Sequence, residues 1–134
     1  MKHIQRLMED PENFEPAETS RQRHTYEGKS WYVDNLISLS ADLPRFRLPI
    51  KDLRAIELKS KFPTVGKGDY LEIAYHARVA MAADLQYPII LGEDGRIMDG
   101  HHRVLKALIT GEPDILVVQF TLDPLPDVEE PEEK

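Results

Sequence analysis

The stretch 96–106, Arg-Ile-Met-Asp-Gly-His-His-Arg-Val-Leu-Lys, limits what this chain can fold into more than any other. A short apolar strand pattern meets a helical pattern there, and only Asp99 and Gly100 lie between them. Strand and helix must therefore join through one sharp turn, which glycine at position 100 permits. The first amides of a helix lack intrahelical acceptors, and the aligned peptide dipoles place about half a positive charge at that end. A phosphate satisfies both. Arg103 adds a planar fork that grips phosphate oxygens with two hydrogen bonds, which lysine does less well. His101 and His102 have ordinary pKa values near 6.5, so a neighbouring phosphate would favour their charged forms, and either can shuttle a proton. Successive helical positions diverge by about 100°, which makes this adjacent pair a poor chelate for a single metal ion. Asp99 either caps the helix or holds Mg²⁺ against the phosphates. The same spacing also fits a helix whose end is capped by Asp99 and the two histidines, with no ligand.

With 134 residues, the chain has the length of one ordinary domain of roughly 100 to 150 residues. Its pattern gives an α+β fold: a single compact domain with a small mixed sheet and three to four helices. Val33, Leu36, Ile37, Ser40 and Leu43 lie on one helical face, so residues 33–42 read as an amphipathic helix stopping before Pro44. Residues 45–53 alternate around Pro49, as an edge strand does. Residues 59–68 combine lysines, Pro63 and two glycines, a loop composition suited to closing over a ligand. Asp69 and Glu72 resemble a capping box for a helix reaching about residue 85, with Leu71, Ala74, Tyr75, Arg78, Val79 and Ala82 as its stripe. Next come a hairpin over 87–91 and 96–98, then a helix over 102–110 with Val104, Leu105, Leu108 and Ile109 inward. Last is a buried central strand over 115–120. Trp31, Tyr32 and Phe46 are assigned to packing, and His76 receives no role.

The ends read differently. Residues 1–30 are polar, mixed in charge and broken by Pro11 and Pro16, so they read as an arm. Residues 31–122 form the domain, and 123–134 form an acidic disordered tail. The formal charge of −7 is concentrated in that tail, which holds six acidic residues and one lysine, so the body is nearly neutral. A broad basic face for DNA is therefore not expected, although a local anion site remains open. The absence of cysteine excludes disulfides, thiolate nucleophiles and cysteine-held metals. No apolar run approaches the roughly 18 residues that would suggest a membrane span, and no signal core follows Met1; the expectation is a cytoplasmic protein with no membrane partner.

Pro88-Ile-Ile-Leu followed by Gly95-Arg-Ile-Met-Asp-Gly-His-His-Arg-Val resembles the signature of the ParB/sulfiredoxin superfamily, also known as ParB-like nuclease domains. In pattern the likeness runs from about residue 48 to 120. Gly100, His102 and Arg103 match the family's phosphate-holding turn directly. His101 stands where sulfiredoxins carry their catalytic cysteine, so sulfinic-acid reduction is excluded. The Asp-Gly-His-His-Arg form is more similar to the branch of nucleotide-dependent free serine kinases. That resemblance implies ATP, ADP or CTP as ligand, with Mg²⁺, and a small hydroxyl-bearing acceptor. It also implies a role for Glu57 in activating the hydroxyl; the other reading of Glu57 is a solvated loop residue. Asp69 and Tyr70 lie where relatives touch the nucleotide, or serve only as cap and packing residue. Three functions follow: a small phosphotransferase or nucleotide hydrolase; a non-catalytic module switched by a nucleotide and acting on a protein partner; and a ParB-like nuclease or DNA-associated protein. The third ranks last, because a partitioning role calls for a DNA-reading domain where this chain runs into acidic sequence.

Overall fold

The computed structural model describes residues 21–53 and 70–130. Among these, the fold is α+β, with three helices and two small sheets. Strands β1 (Arg23–Tyr26) and β2 (Lys29–Tyr32) are followed by helix α1 (Val33–Ser40), strand β3 (Phe46–Pro49) and a 3₁₀ turn (Ile50–Asp52). Helix α2 (Tyr70–Ala82), strands β4 (Ile89–Leu91) and β5 (Ile97–Asp99), helix α3 (His101–Thr110), and strands β6 (Asp114–Gln119) and β7 (Val128–Glu129) complete it. No helix among the described residues is long and apolar enough to cross a membrane.

The main sheet has the order β3-β6-β4-β5. β4 runs parallel to β6, whereas β3–β6 and β4–β5 are antiparallel, so the sheet is mixed. β6 sits inside it, as its apolar run requires, and Pro49 lies on an edge strand where a missing N–H breaks no inner ladder. The strand alternation sorts side chains onto two faces. Ile89, Leu91, Ile97, Ile115 and Val117 pack with Val104 and Ala107 of α3 on one face. Ile90, Met98, Val118 and Phe120 pack with Trp31 and Leu36 on the other. Covering on both sides explains why β4 is buried at every position.

Three expectations need correction. First, the arm read over 1–30 gives way at residue 23 to a β-hairpin. Its two-residue turn has positive φ at both positions, +52° at Glu27 and +77° at Gly28, the turn geometry that matches strand twist. Second, the acidic segment read as a disordered tail over 123–134 is ordered over its described residues, 123–130. β7 pairs with β2, the Tyr32 amide donates to Asp127 Oδ2 (2.8 Å), and the Trp31 indole donates to the Pro124 carbonyl (2.8 Å). Specific acceptors for the buried Trp31 indole and the Tyr32 amide hold this acidic segment in place. Third, the helical stripes are rotated. On α1, Leu36 is buried but Ile37 is exposed; on α2, Glu72 and Ala80 are buried while Leu71 and Arg78 are exposed; on α3, Val104 and Ala107 face inward while Leu108 and Ile109 are exposed. The segment 59–68 lies outside the described residues.

One network ties the hairpin, the β4–β5 turn and the acidic segment together. Arg96, buried just before β5, donates to Asp94 Oδ1 (3.0 Å), Asp123 Oδ2 (2.9 Å) and His24 Nε2 (3.2 Å). Its guanidinium lies 4.5 Å from the Tyr26 ring centre and 5.4 Å from that of Trp31. Burial, then the Arg96 charge, then His101 push the His24 pKa down from 6.5 to about 4. Between those two values the unfolded chain binds more protons at His24 than the folded one does, so stability rises with pH across that window and is lost on acidification. Urea unfolding between pH 4 and 7 is expected to show this slope, and His24→Gln to make it shallower. An unchanged slope in the variant would contradict the assignment.

Candidate functional site

The site grows from the β5–α3 junction. Gly100 precedes the helix with φ +109° and ψ +22°, a conformation that L side chains rarely adopt. A Cβ there would lie 2.6 Å from Cγ2 and 2.9 Å from Cβ of the buried Ile89, so glycine is required for packing as well as for dihedral freedom. The first intrahelical hydrogen bond runs from the Val104 amide to the Gly100 carbonyl (3.1 Å), and no side chain caps the helix end. This corrects the reading of Asp99 as the helix cap. The Asp99 carboxylate instead orients an arginine. Its Oδ2 accepts from Arg103 Nη2 at 2.9 Å, an i,i+4 pair with both side chains largely buried.

Arg103 also donates through Nη1 to the Pro88 carbonyl (3.1 Å). Its fork is thus oriented by Asp99 and by the loop before β4, and these two bonds leave three of its five N–H donors for other acceptors. Gly100, His101, His102 and Arg103 line one wall of an open cleft of about 220 Å³. Ala83, Asp84 and Tyr87, which follow α2, form the facing wall. Such a volume is below the ~300 Å³ at which drug-sized ligand pockets begin, and suits part of a nucleotide.

The histidines are less basic than the sequence suggests. Burial, with His76 and His101 nearby, lowers the His102 pKa to about 4. Burial also lowers that of His101, against the opposing pull of Asp99. Both shifts favour the neutral imidazole. His102 Nε2 lies 2.9 Å from His76 Nδ1, and the two rings stack with centres 5.1 Å apart and 24° between planes. One nitrogen donates and the other accepts.

Asp99, Gly100, His101, His102 and Arg103 therefore come together. Glu57 and Asp69 lie outside the described residues. Tyr70 opens α2 with 91% of its surface exposed and does not line the cleft. Among the described residues, the donor set does not form a cage for Mg²⁺. Asp99 engages Arg103, and no group of three His, Cys, Asp or Glu converges among the described residues. Sequence reasoning missed His76, Asp84 and Tyr87 as neighbours of the turn. His76 meets His102 only through the packing of α2 on α3, which no local spacing reveals. Compared with models of protein families, with curated proteins and with solved structures, the chain matches none.

Proposed function

We propose that the chain is a nucleotide-binding domain of the ParB/sulfiredoxin type that seats phosphates at the N-terminus of α3 and transfers or hydrolyses the terminal phosphoryl group. The observation that carries this reading is the uncapped helix end opening into a cleft beside an arginine already aimed by a carboxylate. Backbone amides and the helix dipole would hold the phosphate oxygens, and the remaining Arg103 donors would neutralise their charge. A dianion brought next to His101 and His102 would raise their proton affinity, turning neutral imidazoles into donors or a proton relay to a departing oxygen. Glu57 would position a small hydroxyl-bearing acceptor. Mg²⁺, where used, would arrive on the phosphates of ATP, ADP or CTP.

A second reading, a nucleotide-switched module acting on a protein partner, is favoured by one observation. Among the described residues, the only carboxylate lining the cleft is Asp84, which already accepts a hydrogen bond from the Gln86 amide (2.9 Å). A nuclease or DNA-associated role ranks third.

Calorimetric titration with each nucleotide and Mg²⁺, together with phosphate release, separates these readings. Arg103→Ala is expected to weaken nucleotide binding about 10- to 100-fold, the loss of a charge-assisted hydrogen bond of roughly 1.5–3 kcal/mol. Turnover that disappears in Glu57→Ala while binding persists supports the enzyme; binding with no turnover in the parent chain supports the switch. A salt-sensitive shift with duplex DNA and no nucleotide binding would overturn both.

A further inference from the structure

We propose that residues 123–130 are an internal stand-in occupying a peptide groove, and that the groove accepts in their place an extended acidic peptide of a partner protein, with two aspartates four residues apart. The segment is held as a bound peptide is. β7 adds two residues to the edge of β2, with Glu129 opposite Lys29, and the amides of Asp127 and Glu130 donate to the carbonyls of Ser30 and Gly28 (both 2.9 Å). Such main-chain pairing supplies affinity, and side chains seated beside it supply selectivity. Here the seated side chains are two carboxylates. Asp123 accepts from Arg96 Nη2 (2.9 Å) and the Glu93 amide (2.8 Å), and Asp127 accepts from the Tyr32 amide (2.8 Å) and the Asn35 side-chain amide (3.0 Å). Between them, the Trp31 indole donates to the Pro124 carbonyl (2.8 Å).

Leu125 is 90% exposed and the preceding Leu122 74% exposed, so neither leucine anchors the segment by burial. What holds it is a set of polar contacts that a second peptide of the same chemistry can reproduce. Once the segment lifts away, the edge of β2 is a template for another extended chain. A tethered segment competes at an effective concentration on the order of millimolar, so a peptide in trans gains affinity in proportion to the fraction of open groove. None of the groove residues lines the cleft at α3, and the proposal stands whatever that cleft binds.

The test uses the full chain and a synthetic peptide of residues 121–130. In the unaltered chain, the amides of Tyr32, Asp127 and Glu130 are expected to exchange hydrogen at least about tenfold faster than those of β6, through an opening confined to the segment. Asp127→Ala, at an exposed side chain, removes two hydrogen bonds and should open the groove about tenfold more often while the β6 rate is unchanged. The peptide should then bind this variant about tenfold more tightly than it binds the parent, and shift the indole resonance of Trp31, the single tryptophan. Replacing both aspartates of the peptide with asparagine should weaken binding at least about tenfold. The proposal is overturned if the segment's amides exchange only together with β6, if the peptide binds neither chain or leaves Trp31 unmoved, or if its aspartates make no difference. Exchange of the segment between two copies of the chain, with no peptide bound, would overturn it as well.

Discussion

Gly100→Ala is expected to destabilise the fold by roughly 2–5 kcal/mol, combining about 1–2 kcal/mol for a left-handed backbone with about 1–3 kcal/mol for overpacking. Both effects come from one place: φ is +109°, and the new methyl would press on Ile89, which has no exposed surface. Relief requires β4 to move, and β4 is buried at every position beneath the helices. Domains of this size are stable by only about 5–15 kcal/mol, so the variant should unfold well below the melting temperature of the parent. Where it remains folded, the start of α3 is displaced, and anion binding should fall with it. Urea unfolding checks the first part. A loss below about 0.5 kcal/mol, the range of an ordinary surface change, would show that the junction is not as tightly packed as described.

Arg96→Met is the second large effect. The substitution nearly keeps the volume and removes the charge, leaving Asp94 and Asp123 facing each other without the cation that holds them. Breaking one side of a buried ion pair costs about 3–5 kcal/mol, and the partial exposure of Asp94 and Asp123 places this loss at or below the low end of that range. Arg96→Lys should recover only part of this, because an ammonium lacks the planar fork that donates to two carboxylates and the His24 ring nitrogen while lying against two aromatic rings. The signature that distinguishes this network from simple packing is release of the acidic segment. Amides of 123–130 should lose hydrogen-exchange protection in Arg96→Met while those of β6 keep it. Uniform loss, or none, would contradict a role in tethering that segment.

How much of this was legible in the sequence depends on whether the deciding contacts were local. The apolar run 115–120, Pro49 at a sheet edge and the Gly92–Gly95 connection each carry their own structural instruction within a few residues, and β6, β3 and the β4–β5 hairpin follow. The turn at Gly100 is local as well, so the meeting of Asp99, Gly100, His101, His102 and Arg103 was readable. Helix faces were not. α2 carries apolar or small residues nearly all round (Leu71, Ile73, Ala74, Ala77, Val79, Ala80, Met81), so its periodicity does not select a side. On α3 the small Ala107 faces the sheet with no exposed surface, while Leu108 and Ile109 are about half exposed. The Arg96 network was least legible: His24 is 72 residues away and Asp123 is 27, in stretches that read as polar ends. The pairing of His76 with His102 spans 26 residues and likewise needed the packed helices to appear.

The phosphate seat proposed at the start of α3 is tested most directly by amide NMR of the full chain during titration with ATP and, separately, inorganic pyrophosphate. Saturable shifts are expected from both ligands, largest at the amides of His101, His102 and Arg103 and at the Arg103 side chain. Shifts that concentrate elsewhere, or amides at 101–103 that stay unmoved at saturating ligand, would contradict a seat at this helix end.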